Sequence, residues 1–205
     1  MKKVFSIALI LSLFILPGLS FADNPPAQGG AALPPGVTAE DMARMTEMTT
    51  PNENHQKLNA LVGKFKVKTS WQMAADAPVQ TSEGEAEGKW ILDGRFVEQH
   101  FKGDFMGKPF EGLSLTGYDN MKKEYSAVWL DSVATGMMKS TMKYDDATKS
   151  FSEEGKFSCP MTGETDKDYR AVTTIVDDNN YKYEMYQKGK DGKEFKAMQI
   201  DYTRA

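Results

Sequence analysis

The chain has 205 residues, enough for one domain with a hydrophobic core of its own, and a formal net charge of −4. Lys and Arg are dispersed along it without a basic block, and its acidic excess would be repelled by nucleic-acid phosphates or an anionic membrane surface. The composition therefore argues against both kinds of partner. The single cysteine, Cys159, excludes an intramolecular disulfide.

The first residues have the three parts of a secretory signal peptide. Lys2 and Lys3 supply its positive charge, residues 4–16 form its apolar core, and small residues ending in Ala22 provide a cleavage site. The apolar core is too short to span a bilayer comfortably, and no cysteine follows it that could carry a lipid anchor. We therefore predict a cleavable signal peptide over residues 1–22, with an uncleaved membrane anchor as the alternative.

After cleavage the chain would begin near Asp23, in the periplasm or outside the cell, without stable insertion in a membrane. Residues 23–36 are rich in Pro, Gly and Ala and show no hydrophobic period, which predicts a flexible tether. The remaining residues, 37–205, are predicted to form a single domain.

Two short helices are predicted at the start of this domain. The first covers residues 38–48, with Thr38 as its N-cap. Three methionines fall on one face of it at helical spacing, namely Met42, Met45 and Met48. We interpret this face as an apolar stripe rather than a metal site, because a methionine site needs closer clustering and usually a histidine. The second helix covers residues 53–62 and ends before Gly63, a residue type that commonly terminates helices.

Period-two alternation begins at residue 64 and continues to the end of the chain, as in strands with one buried face. The first strand, 64–73, places Phe65, Val67 and Trp71 on one face and lysines on the other. Nine more strands are predicted, at 80–92, 94–104, 109–118, 123–132, 136–144, 149–157, 167–177, 180–188 and 193–203. Turns rich in Asp, Asn and Gly separate them, which is typical of hairpins.

Ten strands joined in sequence by short hairpins predict an all-β fold with an up-and-down antiparallel sheet. A sheet of this length exposes two edges unless it closes on itself. We therefore predict a closed antiparallel barrel of about ten strands, with the two helices plugging one end.

Several motifs occur in the order and spacing of a known family, namely LNALVGKFKV, WILDGRFVEQ, GKPFEGLSLTGYD, KEYSAVWLDS, VDDNN and DGKEFKAMQIDYTR. From about Pro51 to Arg204 the chain resembles the bacterial domain of unknown function family 1579, which is similar to the calycin group of lipocalins, fatty-acid-binding proteins and nitrobindins. The resemblance implies a lipocalin-like barrel around a small molecule and carries no activity with it. Lipocalins and nitrobindins close one barrel end with the Trp of a Gly-x-Trp signature on the first strand. Here Phe65 takes its place, so that indole N–H is missing.

The chain has two histidines, of which His55 is expected to be exposed or to cap the second helix. His100 shares a strand face with Phe96 and Glu98, and neither face of this strand is cleanly apolar. It is therefore either a structural residue or an interior residue that binds or titrates. Kinship with nitrobindins raises haem as a cofactor, but that group ligates iron through a histidine on a late strand, and no histidine follows His100. We expect no cofactor, with haem held by His100 and a methionine as the alternative.

No metal site is expected either, because HxH, HExxH and CxxC spacings do not occur. Nucleophile-elbow, P-loop and dinucleotide-binding glycine motifs are also missing from the sequence. Tyr118, Asp119 and Asp131 end two neighbouring strands, which can place them near one rim of the barrel. A buried Tyr–Asp pair could perform acid/base chemistry on a carbonyl ligand, whereas the simpler interpretation is turn chemistry at a barrel corner.

Aromatic and methionine side chains on the strands are numerous enough either to line a cavity or to fill the barrel. The predicted ligand-binding residues are Trp71, Trp90, His100, Tyr118, Trp129 and Asp131. The leading hypothesis is an exported barrel that binds a small apolar molecule without catalysis. One alternative is a lyase or isomerase-type enzyme acting in the lumen, with Tyr118, Asp131 or Glu98 as acid/base groups. A filled barrel serving as a structural or envelope interaction module is the other, and the oligomeric state is left open.

Overall fold

The computed structural model describes residues 33–160 and 162–205. The predicted signal peptide and its cleavage site lie outside the described residues, as does the tether up to residue 32. At the start of the described chain the amide of Val37 donates to the carbonyl of Pro34 at 3.0 Å, which forms a turn. No helix in the two described ranges is long and apolar enough to cross a membrane.

Three short helical segments precede the sheet: α1 (Ala39–Thr49), α2 (Glu53–Gln56) and a 3₁₀ helix (Lys57–Leu61). The predicted second helix therefore begins as an α-helical turn and tightens into 3₁₀ geometry. Asn52 caps α2, because its side-chain oxygen accepts from the Asn54 amide at 3.0 Å while its own amide donates to Nδ1 of His55 at 3.0 Å. Residues 53–61 are called the helical cap below.

Ten strands follow, namely β1 (Gly63–Trp71), β2 (Gln80–Ile91), β3 (Phe96–Phe105), β4 (Lys108–Asp119), β5 (Glu124–Asp131), β6 (Met138–Asp145), β7 (Ser150–Cys159), β8 (Glu164–Ile175), β9 (Asn180–Lys188) and β10 (Glu194–Arg204). Each strand pairs antiparallel with the next, and β10 pairs with β1, with Tyr202 opposite Val67, to close a barrel. The predicted all-β, ten-stranded, up-and-down antiparallel barrel is confirmed.

Strand ends differ from the prediction by a few residues at most, and the largest difference is at the start of β8. This strand begins at Glu164 rather than at residue 167, because the preceding hairpin is tighter than expected. The Gly163 amide donates to the Cys159 carbonyl at 2.9 Å, and Gly163 has a φ of 74°, a conformation that glycine adopts without strain.

The end of α1 is attached to the turn after β4. The side-chain nitrogen of Asn120 donates to the carbonyls of Met48 and Thr50, at 3.1 and 2.9 Å. Met42 and Met48 are half-buried, whereas Met45 between them is exposed, so only part of the predicted methionine stripe is covered.

Buried side chains fill the barrel interior next to the helical cap. Leu58 of the cap is 0% exposed and lies in one buried cluster with Val97, Tyr125 and Phe151. The hydroxyl of Tyr125 donates to the Asn54 carbonyl at 2.8 Å, which fastens the cap to the barrel wall. Farther from the cap, the inward side chains surround a cavity.

Candidate functional site

A cavity of about 720 Å³ extends through the barrel from the helical cap to the loops that follow β5 and β7. Leu58 and Leu61 of the cap form its floor, while the exposed loop residues Val133 and Met137 lie at its mouth. Its wall is mainly aromatic and apolar, and includes Trp71, Phe101, Phe110, Trp129, Tyr183 and Met198. Pockets for small molecules in proteins commonly have volumes of about 300–1,000 Å³ and walls of this kind.

Glu153 places a buried carboxyl group in this apolar wall. It lies on β7, is 9% exposed, and accepts hydrogen bonds from the Tyr169 hydroxyl, at 2.7 Å, and from the Ser140 hydroxyl. Burial raises the pKa of the Glu153 carboxyl, and the two hydrogen bonds oppose that rise. Burial, followed by the negative charge of Glu153, also raises the pKa of the neighbouring Tyr183 hydroxyl. No side chain in the described ranges forms an ion pair with Glu153.

Gly155 allows Tyr169 to reach this carboxyl group. On the inner face of the barrel, Tyr169 on β8 and Ser140 on β6 both lie opposite Gly155 on β7. A Cβ atom on Gly155 would lie 2.7 Å from the Tyr169 hydroxyl oxygen, so the Tyr169 ring occupies the space that a side chain would fill. The ring therefore crosses β7 diagonally toward Glu153, a reach that large side chains have between neighbouring strands.

Trp129 and Asp131, two of the predicted ligand-binding residues, lie together at the mouth of the cavity. The Trp129 Nε1–H donates to one Asp131 carboxylate oxygen at 2.9 Å, and the other oxygen accepts from the amides of Val133 and Ala134 at 2.9 and 2.8 Å. The Trp129 ring lies over Gly112, where a Cβ atom would come within 2.2 Å of it. Asp131 therefore orients the indole ring and organises the mouth loop, which uses most of its hydrogen-bonding capacity.

Trp71 lies at the mouth end of β1 and lines the cavity with Phe105, whose ring centroid is 5.0 Å away. Thr69, on the same strand face, is 8% exposed and also lines the cavity. Its hydroxyl oxygen has no hydrogen-bond partner in the part of the chain that the structure describes. Leaving a buried hydroxyl unpaired costs about 1–3 kcal/mol, so a ligand that supplies a partner would gain affinity there.

Trp90 and Tyr118, two of the predicted ligand contacts, lie at the cap end and do not line the cavity. The Trp90 Nε1–H donates to the Asn59 side-chain oxygen at 2.9 Å, and Tyr118 packs edge-on against His55 with ring centroids 5.7 Å apart. Because Phe65 replaces the Trp that closes the barrel end in lipocalins, the closed end was expected to lack an indole N–H. Trp90 on β2 provides an indole N–H at this end instead. Both predicted contacts therefore hold the cap instead of facing the cavity.

His55 is buried inside this cap end, and of the two roles expected for it, exposed or capping, the capping role is confirmed. Its pKa is lowered by burial first and by the positive charge of Arg95 second, against a hydrogen bond to the Tyr118 backbone that raises it. Because Nδ1 accepts from the Asn52 amide, the ring is held as neutral imidazole.

His100 points away from the cavity. Val97 and Phe101 on β3 face the interior, so Glu98 and His100, at the alternate positions, face outward. The His100 side chain is 50% exposed, and its Nε2 lies 2.8 Å from Glu98 Oε1. This placement corrects both the interior binding role considered for His100 and the lumen acid/base role considered for Glu98. An outward His100 could not ligate a haem held inside the barrel. Residues 33–160 and 162–205 contain no cluster of His, Cys, Asp and Glu that could hold a metal.

Sequence reasoning missed Ser140, Glu153 and Tyr169. A signal was present in the predicted strand 149–157, where Phe151 and Glu153 fall on the same face, so that an acidic residue shares a side with aromatic ones. That pattern indicates a buried carboxyl group, but the partners of Glu153 come from two other strands and depend on the pairing register.

A family model described as "Protein of unknown function (DUF1579)" matches residues 50–204, and the chain belongs to that family. Among solved structures, Rv2717c from M. tuberculosis has a similar fold, with 12% sequence identity and a TM-score of 0.53 over 76% of this chain and 99% of its own. The S-type phycobiliprotein lyase CPES from Guillardia theta is 10% identical, with a TM-score of 0.50 over 75% of this chain and 91% of its own. At these identities the likeness shows the fold alone. No curated protein sequence matches the chain significantly.

Proposed function

We propose that this member of the DUF1579 family binds a small, mainly apolar molecule inside its barrel. The observation that carries the proposal is the cavity of about 720 Å³, whose apolar wall contains a few converging polar groups. The hydroxyl of Thr69 and the Glu153–Tyr169–Ser140 group would fix the orientation of a polar end, while Trp71 and Trp129 would contact the apolar body.

The same observation argues against the filled-barrel hypothesis. Aromatic rings pack closely near the helical cap, where Tyr125 and Phe151 have centroids 5.1 Å apart, but the space nearer the mouth is not filled by side chains. A ligand in this space would contact the apolar side chains that line it.

Acid/base catalysis in the lumen is a second candidate, favoured by the Glu153–Tyr169 hydrogen bond inside the cavity. One fold relative is named a phycobiliprotein lyase, which is consistent with this candidate and gives no residue roles. Of the groups predicted for the enzyme hypothesis, Tyr118 lies at the cap end, Glu98 faces outward and Asp131 is occupied by the mouth loop. A catalytic carboxyl group would therefore be Glu153, and a Glu153→Gln variant would then abolish turnover of any carbonyl ligand found to bind.

The proposed binding can be tested by intrinsic tryptophan fluorescence with three neutral probes, dodecan-1-ol, farnesol and cholesterol. We expect saturable titrations whose signal decreases when Trp71 or Trp129 is replaced by Phe. The matched control is Trp90→Phe, which should keep the ligand-dependent signal because Trp90 lies at the cap end. Native mass spectrometry of the protein purified from its own cells would identify a ligand that remains bound.

A cavity-filling variant gives a second readout. Ser114 lines the cavity, so Ser114→Phe should weaken probe binding at least tenfold, whereas Leu113→Phe, at the adjacent outward position, should not. Far-ultraviolet circular dichroism would verify that both variants fold. Flat titrations with all three probes, with no co-purified molecule, would refute the binding proposal and favour the interaction module.

A further inference from the structure

The charged side chains that line the cavity all have the same sign. Four of them belong to described residues, and all four are acidic: Asp104, Asp131, Glu153 and Glu164. Neither a lysine nor an arginine nor a histidine lines the cavity among the described residues. A fatty acid or another anionic amphiphile would therefore meet carboxylates along the wall and would be repelled by it.

Three of the four carboxylates already have partners at the rim. Asp131 accepts from Trp129 and two mouth-loop amides, Asp104 accepts from the Gly107 amide at 2.7 Å, and Glu164 lies 3.6 Å from the Lys167 ammonium group. Lys167 shares the inner face of β8 with Tyr169, but its pairing with Glu164 cancels its charge at the mouth.

Glu153 differs from these three because it is buried, and it has no cationic partner. The groups that face it are the Ser140 hydroxyl from β6, the Tyr169 hydroxyl from β8 and, from β9, the Tyr183 hydroxyl. Hydroxyl donors satisfy some of its lone pairs without neutralising its charge. A buried carboxylate without a counter-ion is unfavourable, and a cation that reaches it forms a charge-assisted hydrogen bond away from bulk water. The aromatic wall adds favourable positions for a cation above ring faces.

We propose that the ligand is a lipophilic amine, whose protonated nitrogen pairs with Glu153 while its apolar body lies between Trp71 and Trp129. This inference rests on the proposed binding function and narrows it to one class of ligand. The preference comes from the wall of the cavity, because every unbalanced charge in it is negative, and from the depth of Glu153, which keeps water away from the pair.

The test compares three probes that share one alkyl chain and differ in the head group: dodecylamine, dodecan-1-ol and dodecanoate, each below its micelle concentration. Isothermal titration calorimetry at neutral pH should give an affinity for the amine at least tenfold above that for the alcohol, with the carboxylate weakest. In Glu153→Gln the preference for the amine over the alcohol should disappear. The matched control is Glu154→Gln, because Glu154 is the adjacent, exposed position on the same strand and should leave the preference unchanged.

The pH dependence gives a readout that needs no variant. Because the pKa of Glu153 is raised by burial, lowering the pH should neutralise its carboxyl group and reduce the affinity for the amine toward that for the alcohol. Equal binding of amine and alcohol at neutral pH, or an amine preference that survives in Glu153→Gln, would overturn this inference and leave the proposed function standing. Failure of all three probes to bind would overturn the proposed function itself.

Discussion

Gly88 offers a direct test of how the helical cap sits on the barrel. It lies in β2 immediately beneath the cap, where an added Cβ atom would be 1.9 Å from the carbonyl oxygen of Leu61 and 3.0 Å from its carbonyl carbon. Both atoms belong to the backbone, so no side-chain rotation can relieve the contact. In a Gly88→Ala variant the cap and β2 must separate by roughly 1 Å or more before the contact becomes tolerable.

The expected cost is about 3 kcal/mol of unfolding free energy. Overpacking against rigid neighbours costs about 1–3 kcal/mol, and displacement of the cap also loosens Leu58, whose full burial contributes about 1.5–3 kcal/mol. Urea denaturation followed by far-ultraviolet circular dichroism measures this difference directly. For a protein of this size the Tm should fall by about 6–12 °C, since 1 kcal/mol corresponds to about 2–4 °C.

Gly136→Ala is the matched control for this substitution. Gly136 lies in the loop before β6, has no atom within 4 Å of an added Cβ and does not have a positive φ. Its replacement should change stability by no more than about 0.5 kcal/mol. If Gly88→Ala were as stable as Gly136→Ala, the close contact between the cap and β2 would be refuted, and with it the floor of the cavity.

Three further predictions concern polar groups of the barrel interior and of the helical cap. The pKa of Glu153 is raised in the folded state, so its contribution to stability is fully present below its unfolded-state pKa near 4.5 and is lost as pH rises through its folded-state pKa. The stability of Glu153→Gln relative to wild type should therefore increase with pH. Parallel pH profiles of the two proteins in thermal melts would contradict this. His55 has a folded-state pKa lowered from 6.5, so wild type should lose stability as pH falls below that value, and His55→Gln, which keeps an acceptor for the capping box, should show no such loss. A double-mutant cycle on Trp90→Phe and Asn59→Ala should give a coupling energy of about 1 kcal/mol by urea denaturation, and a value near zero would show that their hydrogen bond does not hold the cap.

The barrel could be predicted from the sequence because water on one side of each strand imposes a period of two. In β1, Phe65 and Val67 are buried and the neighbouring lysines are exposed, as alternation alone requires. The same rule puts Trp129 and Asp131, two positions apart on one strand, on the same face without knowledge of the register, and the structure shows both at the cavity. Their contact with a ligand stays a prediction.

Alternation gives the face of a residue but not its depth along the barrel axis. Trp71 and Trp90 both point inward, yet β1 runs away from the cap and β2 returns to it. Trp71 therefore lies near the mouth and Trp90 at the closed end, where it bonds to Asn59. The hairpin order contained this information, whereas the predicted ligand contacts were chosen by residue type.

The inner face of a strand cannot be predicted where both of its faces carry polar and apolar residues. On β3 the outward face carries Phe96 beside Glu98 and His100, so hydrophobicity does not distinguish the two faces. Phe96 is 40% exposed and lies on the outside of the barrel over Gly117, where a Cβ atom would be 2.4 Å from its ring. An aromatic ring that covers a strand glycine has a reason to face solvent, and this reason becomes visible only when the pairing of β3 with β4 is known.

Of the properties of the candidate site, the charge of the cavity wall is the hardest to predict from the sequence. A formal net charge of −4 describes the whole chain, and it does not indicate that an acidic side chain is buried inside the barrel without a counter-ion. That property arises from three strands at once: β7 supplies Glu153, its neighbours supply hydroxyl donors rather than a lysine or arginine, and Gly155 leaves space for the Tyr169 ring to cross between them. A side chain at Gly155 would displace that ring even if Glu153 and Tyr169 were both retained. The selectivity proposed for the cavity therefore depends as much on a residue without a side chain as on the carboxyl group itself.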